Sequence, residues 1–266
     1  MTNSNQPGGN HSTTRNYPDK PAKVYYFGTC LIDLFYPEAG LHGIQLLERE
    51  GIQVIFPEEQ SCCGQPAYNS GYDKETRKVG AAQINCFSED IPVVVPSASC
   101  ASMLIDQYPP LFVGTYLENR ANKLAARTFE LTDFLVNVCK IKLNDKGEPI
   151  KVAYHNSCSA QRHLGVDHCS SELLDQLNNV ALLKQERAHE CCGFGGTFSV
   201  KSPKISNAMV QDKCDNLLNT NADMLLSGDC SCMMNITGAM EKREQEGGSK
   251  SMPAKHIATF LLERTS

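Results

Sequence analysis

The tripeptide Cys-Cys-Gly occurs twice in this chain, at Cys62-Cys63-Gly64 and at Cys191-Cys192-Gly193, and the residues around the two occurrences repeat one another. Neighbouring residues on an extended strand point to opposite sides, so adjacent sulfurs reach one centre only where the backbone turns sharply, which glycine permits. Gly195 and Gly196 prolong the second loop, and Ser202-Pro203 reads as the cap and first position of a following helix. A single pair of this kind is ordinarily an inert packing element. Its recurrence within matched surroundings sets that reading aside.

Laid against itself, the chain repeats over more than a hundred residues. Lys23 to Cys30 matches Lys151 to Cys158 at an offset of 128, the double cysteines match at 129, and Val94 to Cys100 matches Leu225 onward to Cys232 at 132. Within each half the first cysteine precedes the pair by 32 or 33 residues, and the last follows it by 37 or 40. Such agreement indicates duplication.

The periodicity places each of these cysteines at the end of an element. In the first half it predicts strands at 24–27, 52–56 and 93–95, a helix through Leu41, Ile44 and Leu47 stopped by Gly51, a helix at 72–87, and an amphipathic helix at 129–139. In the second half it predicts strands at 151–155, 180–183 and 223–227, with helices near 170–178, 203–219, 232–243 and 255–264. Alternating strands and helices argue for an α/β fold of two tandem pseudo-symmetric lobes, each a small, mostly parallel sheet flanked by helices. Lobes over 22–140 and 151–266 are expected, joined by a linker at 141–150 that contains Asn144-Asp145-Lys146-Gly147. In parallel sheets ligands sit beyond the carboxyl ends of the strands. Cys30, Cys100, Cys158 and Cys232 fall there.

Residues 1–21, rich in Asn, Ser, Gly and Pro, read as a disordered leader without the apolar run of a signal peptide. No stretch suits a transmembrane helix, so a cytoplasmic protein is expected, with at most peripheral docking on a membrane through partners. Thirteen cysteines in such a setting point to metal or redox chemistry and away from a disulfide framework. The net charge is −5, from 25 Lys and Arg against 30 Asp and Glu, and no basic block offers a nucleic-acid surface.

Each lobe thus supplies one cysteine after a strand, two in a glycine loop and one after a later strand. Four thiolates converging on one point suit a tetrahedral zinc or an iron–sulfur cluster. The long spacings differ from the tight Cys pairs of zinc fingers, and vicinal thiols serve a cluster with several irons more easily than one small ion. The amides of Gly64, Gly193, Gly195 and Gly196 are candidate donors to such a cofactor.

The pattern Cys-x₃₁₋₃₈-Cys-Cys-Gly with a later terminal cysteine resembles the CCG, or cysteine-rich, domain. That domain is found in heterodisulfide reductase, in the iron–sulfur component of glycolate oxidase and in anaerobic glycerol-3-phosphate dehydrogenase. Cys-Cys-Gly-Gln-Pro-Ala at 62–67, Pro-Ser-Ala-Ser-Cys at 96–100, Cys-Cys-Gly-Phe-Gly-Gly at 191–196 and Ser-Cys-Met-Met-Asn-Ile at 231–236 make the chain most similar to the lactate-utilization subgroup. The resemblance covers residues 22–264. It implies an electron-transfer subunit of a complex that oxidises L-lactate to pyruvate, with a ferredoxin-like iron–sulfur subunit and a third small subunit as partners.

Family members with the fullest pattern end each repeat in Cys-x₂-Cys and hold a non-cubane cluster on five thiolates. Here Ser97 and Asp229 stand at the first of those positions. The resemblance therefore implies a four-cysteine [4Fe–4S] cluster on Cys30, Cys62, Cys63 and Cys100, and another on Cys158, Cys191, Cys192 and Cys232. Cys230 offers a substitute ligand, and the second lobe is the expected occupied one, the first being empty or holding a labile cluster.

Other candidates weigh less. His155, His163, His168 and His189 surround the second site in sequence, as proton relay or replacement ligand, but each alone reads as a packing or surface residue. Cys86, Cys139, Cys169 and Cys214 have no counterpart in the other half and read as structural, as do Met233 and Met234. Neither a Walker loop nor a dinucleotide fingerprint is present, and no catalytic acid or base declares itself. From residues alone three classes stay open: a cluster-bearing electron carrier, a zinc-stabilised binding module, and a thiol–disulfide catalyst. The last would require adjacent cysteines to close a strained small ring.

Overall fold

The structure, a computed structural model, describes residues 15–266. The first lobe runs β1 (Lys23–Tyr26), α1 (Cys30–Phe35), α2 (Pro37–Arg49), β2 (Gln53–Ile55), α3 (Gln65–Tyr68), α4 (Asp73–Cys86), β3 (Val93–Val95), α5 (Ala98–Ser102), α6 (Tyr108–Leu111), α7 (Glu118–Ala126), β4 (Thr128–Glu130) and α8 (Leu131–Asp133). The second runs β5 (Ile150–His155), α9 (Asp167–Asp175), β6 (Val180–Leu183), α10 (Phe198–Lys201), α11 (Pro203–Leu218), β7 (Met224–Ser227), α12 (Cys230–Gln245), β8 (Ala254–His256) and α13 (Ile257–Thr265). Wider π-helical turns occupy Met103–Gln107, Phe134–Cys139 and Ser159–Leu164.

Each lobe is a four-stranded sheet with every pairing parallel, in the orders β2-β1-β3-β4 and β6-β5-β7-β8. The two sheets share one strand order, as the duplication requires. The fourth strand of each departs from the sequence expectation. Residues 129–139 and 255–264 read as helices throughout, yet Val93–Val95 pairs with Thr128–Glu130, and Leu225–Ser227 with Ala254–His256. Each strand is three residues long and passes directly into a helix, so an apolar run of helical character conceals it. The changeover is fixed by a cap: Glu130 accepts from the amides of Thr132 and Asp133, and His256 accepts from that of Ala258. The short α7 also escapes the periodicity, because Pro109 and Pro110 interrupt the crossover that contains it.

Strands buried on both faces divide their side chains between two layers. Val24 and Tyr26 of β1, with Val94 of β3, face inward, where they join Val152 of β5, Leu226 of β7 and Ile257 and Leu261 of α13 in one core that runs through both lobes. Tyr25, Phe27, Val93 and Val95 face outward onto Phe87, Leu104 and Tyr108. Ala153 and Leu225 do the same in the second lobe, against Val210, Cys214 and Ile236. The lobes are therefore two halves of one folded body. Helix α13 of the second packs along α2 of the first, with His42 Nδ1 3.1 Å from Thr259 Oγ1 and Arg49 donating to the Thr265 carbonyl.

The connection at 140–149 has no regular element, and Lys140 leaves the preceding helix at φ 52. Its Asp145 side chain is enclosed and paired with Arg264 at 2.7 Å, while Asn179 and Gly147 donate their amides to the same carboxylate. Of the expected leader, residues 1–14 lie outside the described residues. Arg15 stacks on Phe129 and Tyr17 donates to Asp133 at 2.8 Å, so the chain is seated on the first lobe from Arg15 onward. Among the described residues no helix is long and apolar enough to cross a membrane.

Candidate metal centre

Both cysteine groups are assembled at the carboxyl edges of the sheets. In the first lobe, β1 delivers Cys30 to the first turn of α1, the segment after β2 carries Cys62 and Cys63, and β3 leads into Cys100 on α5. Gln60 ties the loop to the strand, accepting from the Gly28 amide and donating to the Tyr26 carbonyl. The Tyr108 hydroxyl donates to the Cys63 carbonyl. Gly64, at φ 86, turns its amide back onto Cys62 Sγ at 3.4 Å. Cys63 Sγ lies 3.5 Å from Cys100 Sγ.

The second lobe reproduces this plan. Gln185 donates to the Tyr154 carbonyl, and the Gly193 amide, at φ 83, donates to Cys191 Sγ at 3.4 Å. Ser206 Oγ donates to the Gly193 carbonyl and Asn235 to that of Cys192, which holds the loop to α11 and α12. Cys158 Sγ and Cys191 Sγ are 4.0 Å apart. Ser202 and Pro203 open α11 as cap and first residue.

The thiols in each lobe form a connected set. Hydrogen bonding from Cys30 foremost, then from Cys63 and the Gly64 amide, draws Cys62 down to about 3. The Cys158 thiol, then Cys192 and the Gly193 amide, draw Cys191 down to about 2. The donors move the other way: Cys30 and Cys158 are raised by these bonds and by burial, and so are Cys63, bonded to Cys100 and Cys62, and Cys192, bonded to Cys191 and Cys232. Within each lobe, the protein alone thus favours the thiolate at Cys62 and at Cys191 and the neutral thiol at Cys30, Cys63, Cys158 and Cys192. Four thiolates in one place require a cation to compensate them, and metal binding there releases protons.

The two groups do not stand apart. All four cysteines of the first lobe, all four of the second and Cys230 line one cavity of about 460 Å³ between the lobes. Asp229 bridges its wall, accepting from the Ser99 amide of the first lobe at 3.0 Å and from Ser231 Oγ at 2.6 Å. Ser97 Oγ is 3.1 Å from Ser99 Oγ. Of the two residues that stand in place of cysteines, Asp229 thus joins the lobes, while Ser97 contacts Ser99, which Asp229 holds. Cys230, buried at the start of α12, is held above its ordinary value by burial first, then by Asp229, Cys100 of the first lobe and Cys232 nearby. Gly195 and Gly196 line the same cavity at φ 54 and 63.

The remaining candidates separate by position. His155 is buried, and one of its ring nitrogens lies within 4.8 Å of both Cys192 Sγ and Cys232 Sγ. His163 lines the cavity, His168 contacts Cys169, and His189 is exposed. Cys86, Cys139, Cys169 and Cys214 lie outside the cavity lining, and all thirteen cysteines are free thiols. Met233 is buried in α12. Sequence reasoning overlooked Lys213, whose buried ammonium donates to Gln185 Oε1 and the Arg187 carbonyl and faces Cys191, Cys192 and Cys232. Its place on α11 corresponds to Gln83 on α4, so only comparison of the two halves marks it.

The donor set fits a soft metal or an iron–sulfur group. A family described as the cysteine-rich domain, CCG, matches residues 24–105 and 152–237. Lactate utilization protein A of Halalkalibacterium halodurans is 43% identical over 245 residues, 91% of this chain and 98% of that protein. Lactate utilization protein A of Geobacillus sp. strain WCH70 is 44% identical over 245 residues, covering 91% of this chain and 100% of its own. A crystal structure of a hypothetical protein from Helicobacter pylori has the same fold, with a TM-score of 0.56 at 9% identity over 94% of this chain, which spans 50% of the length of that one.

Proposed function

Because this chain belongs to the CCG cysteine-rich domain family, with lactate utilization protein A among its relatives, we propose that it is the iron–sulfur electron-transfer subunit of a cytoplasmic complex that oxidises L-lactate to pyruvate. The observation that carries this reading is the shared cavity, onto which both four-cysteine groups open. Cys30, Cys62, Cys63 and Cys100 would hold one [4Fe–4S] cluster, and Cys158, Cys191, Cys192 and Cys232 the other. Lactate oxidation releases two electrons and two protons, and a pair of one-electron centres matches that count. A ferredoxin-like iron–sulfur subunit and a third small subunit complete the complex.

The chain's own residues prepare for this. The Gly64 and Gly193 amides point at sulfur, where donors raise reduction potential. Burial of Cys63, Cys192 and Cys232 keeps water from the inner side. Few titratable groups other than thiols face the cavity, which suits electron transfer better than acid–base chemistry.

One observation favours a second reading. Sulfurs 3.5 and 4.0 Å apart match the roughly 3.8 Å edge of a tetrahedron around one zinc ion with bonds of about 2.3 Å. Purification without oxygen, followed by counts of iron, acid-labile sulfide and zinc, separates the two. About four irons and four sulfides per lobe, lost from the first lobe in C62S/C63S and from the second in C191S/C192S, support the electron carrier. Full zinc occupancy without iron overturns it in favour of a zinc-stabilised module.

A further inference from the structure

The two halves share their cysteine pattern and differ at a strand-end residue that faces it. β1 runs Val24-Tyr25-Tyr26 into Phe27, whose buried ring packs edge-on against Phe87 at 5.7 Å. β5 runs Val152-Ala153-Tyr154 into His155 at the corresponding place. The imidazole is 1% exposed, and neither ring nitrogen has a hydrogen-bond partner. Its backbone carbonyl is occupied, accepting from Ser227 Oγ at 2.9 Å, so the strand end is fixed and only the ring is unsatisfied.

Buried polar atoms are nearly always paired, and an exception calls for something that binds there. What lies within reach of this ring is sulfur: one nitrogen, Cys192 Sγ and Cys232 Sγ form a buried triad with all separations within 4.8 Å. Two thiolates and an imidazole at such distances are a familiar donor set for zinc, copper and iron. Packing does not explain the residue, since the first lobe fills the same position with a phenyl ring.

We propose that His155 is a ligand of the second-lobe centre, taking one of its protein-ligand positions beside Cys192 and Cys232, so that this lobe has a mixed imidazole–thiolate site and the first an all-thiolate one. The proposal rests on the reading of the cysteines as a metal centre, and holds for iron or zinc alike. Replacing thiolate by imidazole raises reduction potential at iron–sulfur centres. The two centres of a lactate-oxidising carrier would then be unequal, and the second would be the electron sink.

The test uses the C62S/C63S protein, in which only the second centre remains, grown with ¹⁵N-histidine and reduced with dithionite. Protein that comes out with zinc is exchanged for Co²⁺, which is itself paramagnetic. Pulsed EPR is expected to show the strong nitrogen coupling of a directly bound imidazole, and H155F is expected to abolish it. H155F installs the first lobe's own residue and should retain the circular dichroism of the parent; H155Q serves as the second variant. Release of metal to a chelator should be at least about tenfold faster in both. A fully metallated C62S/C63S protein without imidazole coupling overturns the assignment while leaving the metal centre intact. Wild-type protein that binds neither iron nor zinc overturns the centre itself.

Discussion

Gly193→Ala and Gly64→Ala are the same substitution at equivalent turns, yet their surroundings make them unequal. Both glycines occupy the left-handed region, at φ 83 and 86, where a side chain costs about 1–2 kcal/mol. A Cβ at Gly64 would meet Thr76 and Val79 side chains at 3.5 and 3.6 Å, which is ordinary contact. A Cβ at Gly193 would lie 2.8 Å from the Ser206 carbonyl oxygen and 3.0 Å from Met209 Cβ. The loop cannot retreat, because Ser206 Oγ also holds the Gly193 carbonyl at 2.8 Å. Overpacking of this kind adds about 1–3 kcal/mol. The expected loss is therefore about 1–2 kcal/mol for G64A and about 2–5 kcal/mol for G193A. Urea unfolding of the metal-free, reduced proteins, followed by far-ultraviolet circular dichroism, gives the comparison. The chain has no tryptophan to report by fluorescence. Equal losses, or a larger one for G64A, would refute the argument from close approach.

Arg264→Ala removes the partner of the enclosed Asp145 side chain, and the loss should be about 3 kcal/mol in the same assay; a change below about 1 kcal/mol would mean that the Asn179 and Gly147 amides suffice. Burial foremost lowers His256 from its ordinary 6.5. Below that pH the unfolded chain takes up a proton that the folded one refuses, so stability falls by up to about 1.4 kcal/mol per unit. Glu130, raised by burial to about 7, acts oppositely below pH 7, but it cancels in the difference between wild type and H256Q. That difference should shrink as the pH is lowered from about 7 to about 5; a constant difference would exclude His256 as its source. Lys213→Gln installs the residue of the first lobe and removes a buried cation that faces three thiols. In redox titration the second centre should become harder to reduce, by roughly 60 mV for each 1.4 kcal/mol of interaction lost, with the first unchanged.

The duplication and six of the eight strands were legible, because β1 and β3 and their partners are apolar runs bounded by glycine or proline. β4 and β8 were not, since a three-residue strand that enters a helix without a break leaves no period of its own. The positions of the cysteines at strand ends followed from the order of elements. Their convergence on one cavity did not, because it depends on how the two lobes pack together, with α13 laid on α2, and the inward residues Val24, Tyr26 and Val152 look no different from the outward Tyr25 and Ala153. His155 and Lys213 were obscured for another reason: a single histidine in a strand or lysine in a helix has common innocuous roles. Only a register against Phe27 and Gln83, once the fold is in hand, sets them apart.

The packing of α13 on α2 bears on how this protein matures. Helix α2 belongs to the first lobe, but the apolar face it presents is covered by Ile257, Phe260 and Leu261, more than two hundred residues downstream. During synthesis the first lobe therefore waits with an open flank until that segment has left the ribosome. The wall between Ser99 and Asp229 closes only then as well. The shared cavity is accordingly enclosed only after α13 has docked, and the order of the lobes in the sequence does not set the order in which their cysteine groups are enclosed.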